Sequence, residues 1–318
     1  MTQRILERGQ IETLASRSIP RVRLPDRADV FARRATRLRA LAQGSAIDGY
    51  LQFLAAIADA QQKALGDFHP QMPTAEQIER AAEFHMPPMP ATSWPRDENW
   101  IGMLRDLARA VAANAAMPQG VVGICKTVAT SAADPLEEQG DALLAATLES
   151  AELAMAPLVM AALQVHWVAL TAAFANADSV KPLDVAGVCP LCGTLPVASI
   201  VRARNPYQGY RYLHCALCAT EWHMVRVQCS QCGADSKHMA YHTLQAVDAD
   251  DAAVKDAAVR AEACDECHGY RKILYQEKDI DVEPVADDVA TLALDVLLTE
   301  KGFHRASGNP MLWQAAQD

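Results

Sequence analysis

Four Cys-x-x-Cys pairs stand in one stretch of the chain: Cys189/Cys192 in "VCPLCGTLP", Cys215/Cys218 in "HCALCA", Cys229/Cys232 in "QCSQCG" and Cys264/Cys267 in "ACDECHG". Of nine cysteines, only Cys125 lies outside them. Thiols at this spacing support dithiol–disulfide exchange, a disulfide framework or metal ligation. Exchange needs a single pair at a helix start in a βαβ setting, and no such setting surrounds these pairs. Disulfide frameworks belong to oxidising compartments. The opening "MTQRILERGQIETLASRSIPRVRLPDR" is charged and lacks an apolar core of signal-peptide length, and no uninterrupted hydrophobic run follows the twin Arg33–Arg34. A cytoplasmic, reducing location is therefore expected, and metal ligation is the reading that fits it.

A tetrahedral metal site takes two knuckles, each presenting two thiolates from a tight turn, so four pairs make two sites. Pairs one and three read Cys-x-x-Cys-Gly, whereas pairs two and four lack that glycine. The stretch reads as one unit used twice: knuckle with glycine, hairpin, second knuckle, strand. Sequential pairing assigns Cys189, Cys192, Cys215 and Cys218 to one ion, and Cys229, Cys232, Cys264 and Cys267 to the other. Each hairpin then closes its own site; interleaving pair one with three and two with four is the alternative. Four thiolates suit Zn(II) and equally a single rubredoxin-type iron, with a site charge of about −2 for either divalent ion and −1 for Fe(III). The sequence does not choose between them.

Other chemistry-bearing residues fit no active-site pattern. Cys125, in "GVVGICKTV", reads as a buried apolar residue. His166, on an apolar segment, reads as a satisfied core histidine. His214, His223 and His268 flank the knuckles and are candidates for hydrogen bonding to the ligands or for alternative ligation. Asp287 and Asp288 form an acidic pair at a helix start, explained by the helix dipole. P-loop, GxGxxG, GxSxG and HExxH motifs do not occur, so no catalytic residue is assigned.

The elements that must position the cysteines change character along the chain. Up to about residue 180 the pattern is helical. "DRADVFARRATRLRALA" aligns Phe31, Ala35, Leu38 and Ala42, with arginines on the opposite face; "IDGYLQFLAAIADAQQKAL" aligns Ile47, Leu51, Leu54, Ile57 and Leu65. Thr74 and Gln77 form a capping-box pattern, "HMPPMPATSWP" is a proline-rich connector, and "ENWIGMLRDLARAVAANA" aligns Ile101, Leu104, Leu107 and Val111. Asp134-Pro135 marks another helix start. Leu153 to Phe174 contains no Asp, Glu, Lys or Arg over 22 residues, but Pro157, Gln164 and His166 interrupt it and no basic flank adjoins it. It is expected to be a buried central helix and not a membrane span. Beyond it, short strand-like runs separate the cysteine pairs ("PVASIVR", "YRYLH", "EWHMVRVQ", "KHMAYHTL", "GYRKILYQ"), with an acidic insertion "AVDADDAAVKDAAV" in the second unit. "EPVADDVATLALDVLLTEKGF" returns to one helix carrying Val289, Leu292, Val296 and Leu297 on one side.

Charge narrows the function classes. The formal net charge is −10, yet residues 1–44 hold ten arginines against Glu7, Glu12, Asp26 and Asp29, a local excess of +6, so the remainder carries −16. An acidic body argues against a nucleic-acid binder, whose affinity comes from clustered Lys and Arg. Arg21, Arg23, Arg33, Arg34, Arg37 and Arg39 are a candidate docking surface, or a solvated helix face.

Taken with "IPRVRLPDRADVFARRATRLRALA", "CPLCG", "YLHCALCATEWHMVRVQCSQCG", "CDECHGYRKIL", "VEPVADDVATLALDVLLTEKGF" and "GNPMLW", these features resemble the FdhE family of formate dehydrogenase accessory proteins over nearly the whole chain. The resemblance implies a cytoplasmic maturation factor, chaperone-like and not itself an enzyme, that contacts the catalytic subunit of respiratory formate dehydrogenase. It also implies rubredoxin-like centres holding two iron ions per chain, with zinc as the alternative. A zinc-ribbon nucleic-acid module and a one-electron or thiol redox protein are the competing classes. The expected fold is α+β: a helical domain over residues 1–182, two small rubredoxin-like or zinc-ribbon-like β units over 183–228 and 229–280, and a C-terminal helical segment over 281–318. Neither nucleic acid nor stable membrane insertion is expected.

Overall fold

In a computed structural model of the chain, residues 19–147, 152–174, 177, 180–181, 183–244 and 255–312 are described. The first part of the arginine-rich start, most of the acidic insertion and Trp313 of "GNPMLW" lie outside them. Seven helices fill most of the first half of the described residues: α1 Val30–Ala42, α2 Asp48–Asp67, α3 Ala75–Glu83, α4 Trp100–Ala112, α5 Gln119–Thr130, α6 Ala133–Leu144 and α7 Ala156–Ala172. The expected stripes are the buried ones: Phe31, Ala35, Leu38 and Ala42 on α1, and Ile101, Leu104, Leu107 and Val111 on α4. The Thr74–Gln77 capping box forms in full at the start of α3. α6 begins two residues ahead of Pro135, with Ala132 as its cap and Asp134 in its first turn.

Every residue of α7 from Ala156 to Thr171 is buried, against α2, α4 and α6. Pro157 sits in the first turn, where its missing N–H is no loss. No described helix is long and apolar enough to cross a membrane. His166 is buried, but it is not the satisfied histidine expected from sequence. Its ring packs against Phe68 and Trp167, and neither ring nitrogen has a hydrogen-bond partner among the described residues. Burial pulls its pKa down to about 4, which keeps the ring neutral.

Among the described residues one eight-stranded sheet forms from β1 Val22–Arg23, which precedes the helices, and from seven strands of the second half: β2 Pro196–Val201, β3 Arg211–Cys215, β4 Glu221–Met224, β5 Met239–His242, β6 Val259–Cys264, β7 Gly269–Tyr275 and β8 His304–Arg305. Its order is β1-β4-β3-β2-β7-β6-β5, with β8 also paired to β7. Strands β2–β4 and β5–β7 are two antiparallel meanders of the same plan. They join head to tail through the parallel pair β2–β7, with Ser199 opposite Ile273 and Val201 opposite Tyr275. The expected C-terminal helix is two, α8 Pro284–Ala290 and α9 Leu292–Glu300, broken at Thr291. Val296, placed on the apolar side by sequence, is 59% exposed, while Leu294 and Leu298 are buried.

Ion pairs hold these pieces together, and they change how the arginines must be read. Arg34 is not on a solvated face: it is 2% exposed and pairs with Glu283 at 3.0 Å, just before α8. Arg37 pairs with Asp287 at 2.6 Å and Asp279 at 2.7 Å, Arg39 with Asp59, and Arg23 with Glu221 at 3.4 Å. Nor do Asp287 and Asp288 serve merely the helix dipole. The cap of α8 is Glu283, which accepts from the N–H groups of Val285 and Ala286. Buried Asp288 instead faces Arg305 at 2.6 Å and Lys272 at 3.4 Å. Burial raises the Asp288 pKa, but the two cations outweigh it and hold the carboxyl below its usual range.

Removing one partner of a buried pair strands the other charge, whereas exposed pairs contribute little. Arg34→Ala is therefore expected to cost about 3–5 kcal/mol in urea denaturation, and Arg39→Ala less than about 1 kcal/mol. Equal effects would contradict the burial assigned to Arg34.

Candidate metal centres

The eight paired cysteines come together sequentially, in two groups of four: Cys189, Cys192, Cys215 and Cys218, and Cys229, Cys232, Cys264 and Cys267. Within each group the sulfurs all lie within 4.8 Å of one another. In the first, Cys189–Cys218 is 3.5 Å, Cys192–Cys215 3.4 Å and Cys192–Cys218 3.6 Å. In the second, Cys229–Cys267 is 3.8 Å and Cys232–Cys264 3.7 Å. Sulfurs placed tetrahedrally at ~2.3 Å around an ion are about 3.8 Å apart. A disulfide would need about 2.05 Å. The donor set and its spacing thus fit a tetrathiolate metal ion at each site.

The knuckles explain the glycine pattern. In the first, the Cys189 amide donates to the Thr194 carbonyl at 3.0 Å and the Gly193 amide to the Cys189 carbonyl at 3.0 Å. The third repeats this with Ala234 at 2.9 Å and Gly233 at 3.1 Å. To close such a turn, the residue after the second cysteine enters the left-handed region in all four knuckles: Gly193 (φ 75°), Ala219 (56°), Gly233 (79°) and His268 (54°). Glycine takes that conformation without cost; Ala219 and His268 adopt it under strain.

Electrostatics also calls for a cation. Burial drives the Cys189 and Cys192 thiols well above their ordinary range, and neighbouring cysteines add to it for Cys189. Burial raises Cys215 too, but hydrogen bonds from the other three cysteines and Thr194 outweigh it and hold Cys215 well below that range. Four buried thiolates require a positive charge at their centre.

Two donors were missed in the sequence reading. The Thr194 hydroxyl lies 3.1 Å from Cys192 Sγ and 3.0 Å from Cys215 Sγ, and the Thr220 hydroxyl 3.0 Å from Cys218 Sγ. Both occupy the second position after a knuckle, in "CGT" and "CAT"; that shared spacing was the available signal. The flanking histidines turn elsewhere: His214 Nδ1 lies 3.1 Å from Glu221, His223 Nδ1 3.5 Å from Arg21, and His268 packs near Phe303. Cys125 is a buried α5 residue, its thiol pushed up by burial.

The first site is set against the helical core. Met89 and Ala91, in the proline-rich connector, donate to the carbonyls of Leu191 and Cys192 at 3.0 and 2.9 Å. Gln164 of α7 donates to the Ala216 carbonyl at 2.7 Å. Buried Arg271 links the units, donating to Ser230 in the third knuckle at 2.9 Å and to the Pro196 carbonyl. A groove of about 1170 Å³ opens beside the first site, lined by Phe84, Met86, Val185, Leu195 and Leu217 among others.

The left-handed positions give a direct check. Gly193→Ala places a Cβ 3.2 Å from Pro87 in a strained conformation and should lower stability by about 1–2 kcal/mol. Ala219→Gly relieves strain and should change stability by no more than about 1 kcal/mol. Thermal unfolding of the metal-loaded protein distinguishes them, and a well-tolerated Gly193→Ala would contradict the turn geometry.

Comparison with known proteins agrees with this architecture along its length. The chain matches "FdhE, N-terminal" over residues 19–184, "FdhE, central domain" over 188–226 and "FdhE, C-terminal domain" over 227–312. It is 36% identical over 316 residues to the Protein FdhE homolog of Cronobacter sakazakii, covering 98% of each chain. Protein FdhE of Salmonella choleraesuis is 36% identical over 307 residues, 96% of each chain. The crystal structure of the FdhE protein from Pseudomonas aeruginosa superposes with a TM-score of 0.77 at 32% identity, covering 92% of this chain and 99% of that one. The chain belongs to the FdhE family.

Proposed function

We propose that this protein is a cytoplasmic maturation factor for a respiratory formate dehydrogenase, acting by binding that enzyme's catalytic subunit. Cys189, Cys192, Cys215 and Cys218 would hold one iron ion, and Cys229, Cys232, Cys264 and Cys267 a second. The observation that carries this reading is family membership over nearly the full chain. The site chemistry supports it. A closed set of four thiolates leaves no position for a substrate on the ion, so the centres suit structural or electron-transfer roles and not hydrolysis or formate oxidation. The groove beside the first site exposes Phe84, Met86, Val185 and Leu195. Such a lining suits apolar polypeptide and not a small anion such as formate.

The docking role earlier open to the arginine-rich helix is narrowed. Arg34, Arg37 and Arg39 have intramolecular carboxylate partners, leaving the exposed Arg21 and Arg33 as the freer cations of that group. The acidic body still disfavours nucleic acid.

Cells lacking this protein should lose formate dehydrogenase activity under anaerobic growth, and tagged protein should retain the immature catalytic subunit in a pull-down. Elemental analysis of anaerobically purified protein should give two iron ions per chain, falling to one in a Cys189→Ser/Cys192→Ser variant. Normal activity in the deleted strain, with no related protein substituting, would overturn the accessory role. Zinc alone in native protein would overturn the iron assignment.

A further inference from the structure

We propose that the two four-cysteine sites differ in permanence: the first retains its ion as part of the fold, whereas the second is exchangeable and can pass its ion to a competing thiolate ligand through its Cys232–Cys267 edge. This rests on the metal-binding reading above. Ligand exchange at a closed tetrathiolate has two requirements. An incoming donor must reach the ion, and one cysteine must be free to swing away.

The first site meets neither. Its four cysteines are 0%, 1%, 1% and 0% exposed in chain order. Pro190, Leu191 and Leu217, between the paired cysteines, are buried as well. The knuckle backbones are held by the amides of Met89 and Ala91 and by Gln164. Hydroxyls of Thr194 and Thr220 lie on three of the four sulfurs. Such bonds favour the thiolate and weaken its tendency to leave.

The second site meets both along one edge. Cys232 is exposed and Cys267 half-buried, whereas Cys229 and Cys264 are buried. Gln231, Gly233, Asp265, Glu266 and His268 around the outer cysteines are all exposed. The positions that carry Thr194 and Thr220 in the first site are Ala234 and Gly269 here, without a hydroxyl. The inner edge is anchored: Cys264 ends β6, and the neighbour of Cys229, Ser230, is tied to Arg271. The site is hinged on Cys229 and Cys264 and open at Cys232 and Cys267. In the exchange, the sulfur of an incoming thiol takes the place of Cys232 on the ion. The Cys232–ion bond breaks, and the proton lost by the incoming thiol is taken up by the Cys232 thiolate. No electron changes hands.

The test uses full-length protein carrying two zinc ions per chain, challenged with excess 2,3-dimercaptopropanol. Zinc retained is counted by native mass spectrometry, and freed cysteines are mapped by iodoacetamide labelling. One ion should leave at least about tenfold faster than the other, with labels on Cys229, Cys232, Cys264 and Cys267 and none on Cys189, Cys192, Cys215 or Cys218. Ala234→Thr should slow the fast phase, and Thr194→Val with Thr220→Val should speed the slow one, with serine at both positions restoring it. Loss of both ions at one rate, or labelling of the first site before the second, would overturn the inference while leaving metal binding intact. Failure to hold zinc at any cysteine would overturn both readings.

Discussion

Much of the structure depends on the side chain of Gln164, the polar group that the mostly apolar α7 turns toward the first metal centre. Its carbonyl accepts from Gln61 of α2 at 2.9 Å and from Arg34 of α1 at 3.3 Å, and its amide donates to Ala216 between Cys215 and Cys218. Arg34 continues the chain of contacts to Glu283, which caps α8. Two bundle helices and a metal knuckle thus meet at one buried amide, and Arg34 ties the C-terminal segment to it through Glu283. A buried amide left unpaired is costly, so each partner is constrained by the others. One hydrophobic core correspondingly runs from the helices through Cys189, Cys192, Cys215 and Cys218 into β2–β4 and α8.

The sheet extends that joint to the second centre. Two three-stranded units of one plan lie side by side in the same direction, so the first strand of one pairs in parallel with the last strand of the other. The first unit shares the core of the helices, whereas the second packs a small cluster of Ala261, Ala263 and Tyr270 under α9; thiolate clamping would add to the stability of both. The shared plan does not make the units equal. The inner unit is covered by the helical domain, while the outer one ends at β5, an edge strand of only partly buried residues.

What was legible in the sequence were features with local causes. Cysteine spacing identified the knuckles, apolar periodicity identified the buried faces of α1 and α4, and Thr74–Gln77 identified a helix start. Features that depend on distant partners were not legible. Arg34 and Arg37 sit on a helix whose pattern places them outside, and only the fold supplies Glu283 and Asp287 from about 250 positions later. Strand β6 was missed because "VRAEAC" follows an acidic, alanine-rich stretch and takes its strand identity from pairing with β5 and β7. The parallel β2–β7 seam likewise has no signature within either unit. Thr291 breaks the last helix because α8 docks on α1 and β2, while α9 packs Leu294 and Leu298 against Tyr270.

The central claim is that the first four-cysteine site is the joint between helical domain and sheet. Hydrogen–deuterium exchange, compared between Cys215→Ser/Cys218→Ser and Cys264→Ser/Cys267→Ser variants, addresses it most directly. Loss of the first site should remove amide protection from α7 and β2–β4 together, and loss of the second should leave α7 protected. An α7 that stays fully protected without Cys215 and Cys218 would contradict the claim.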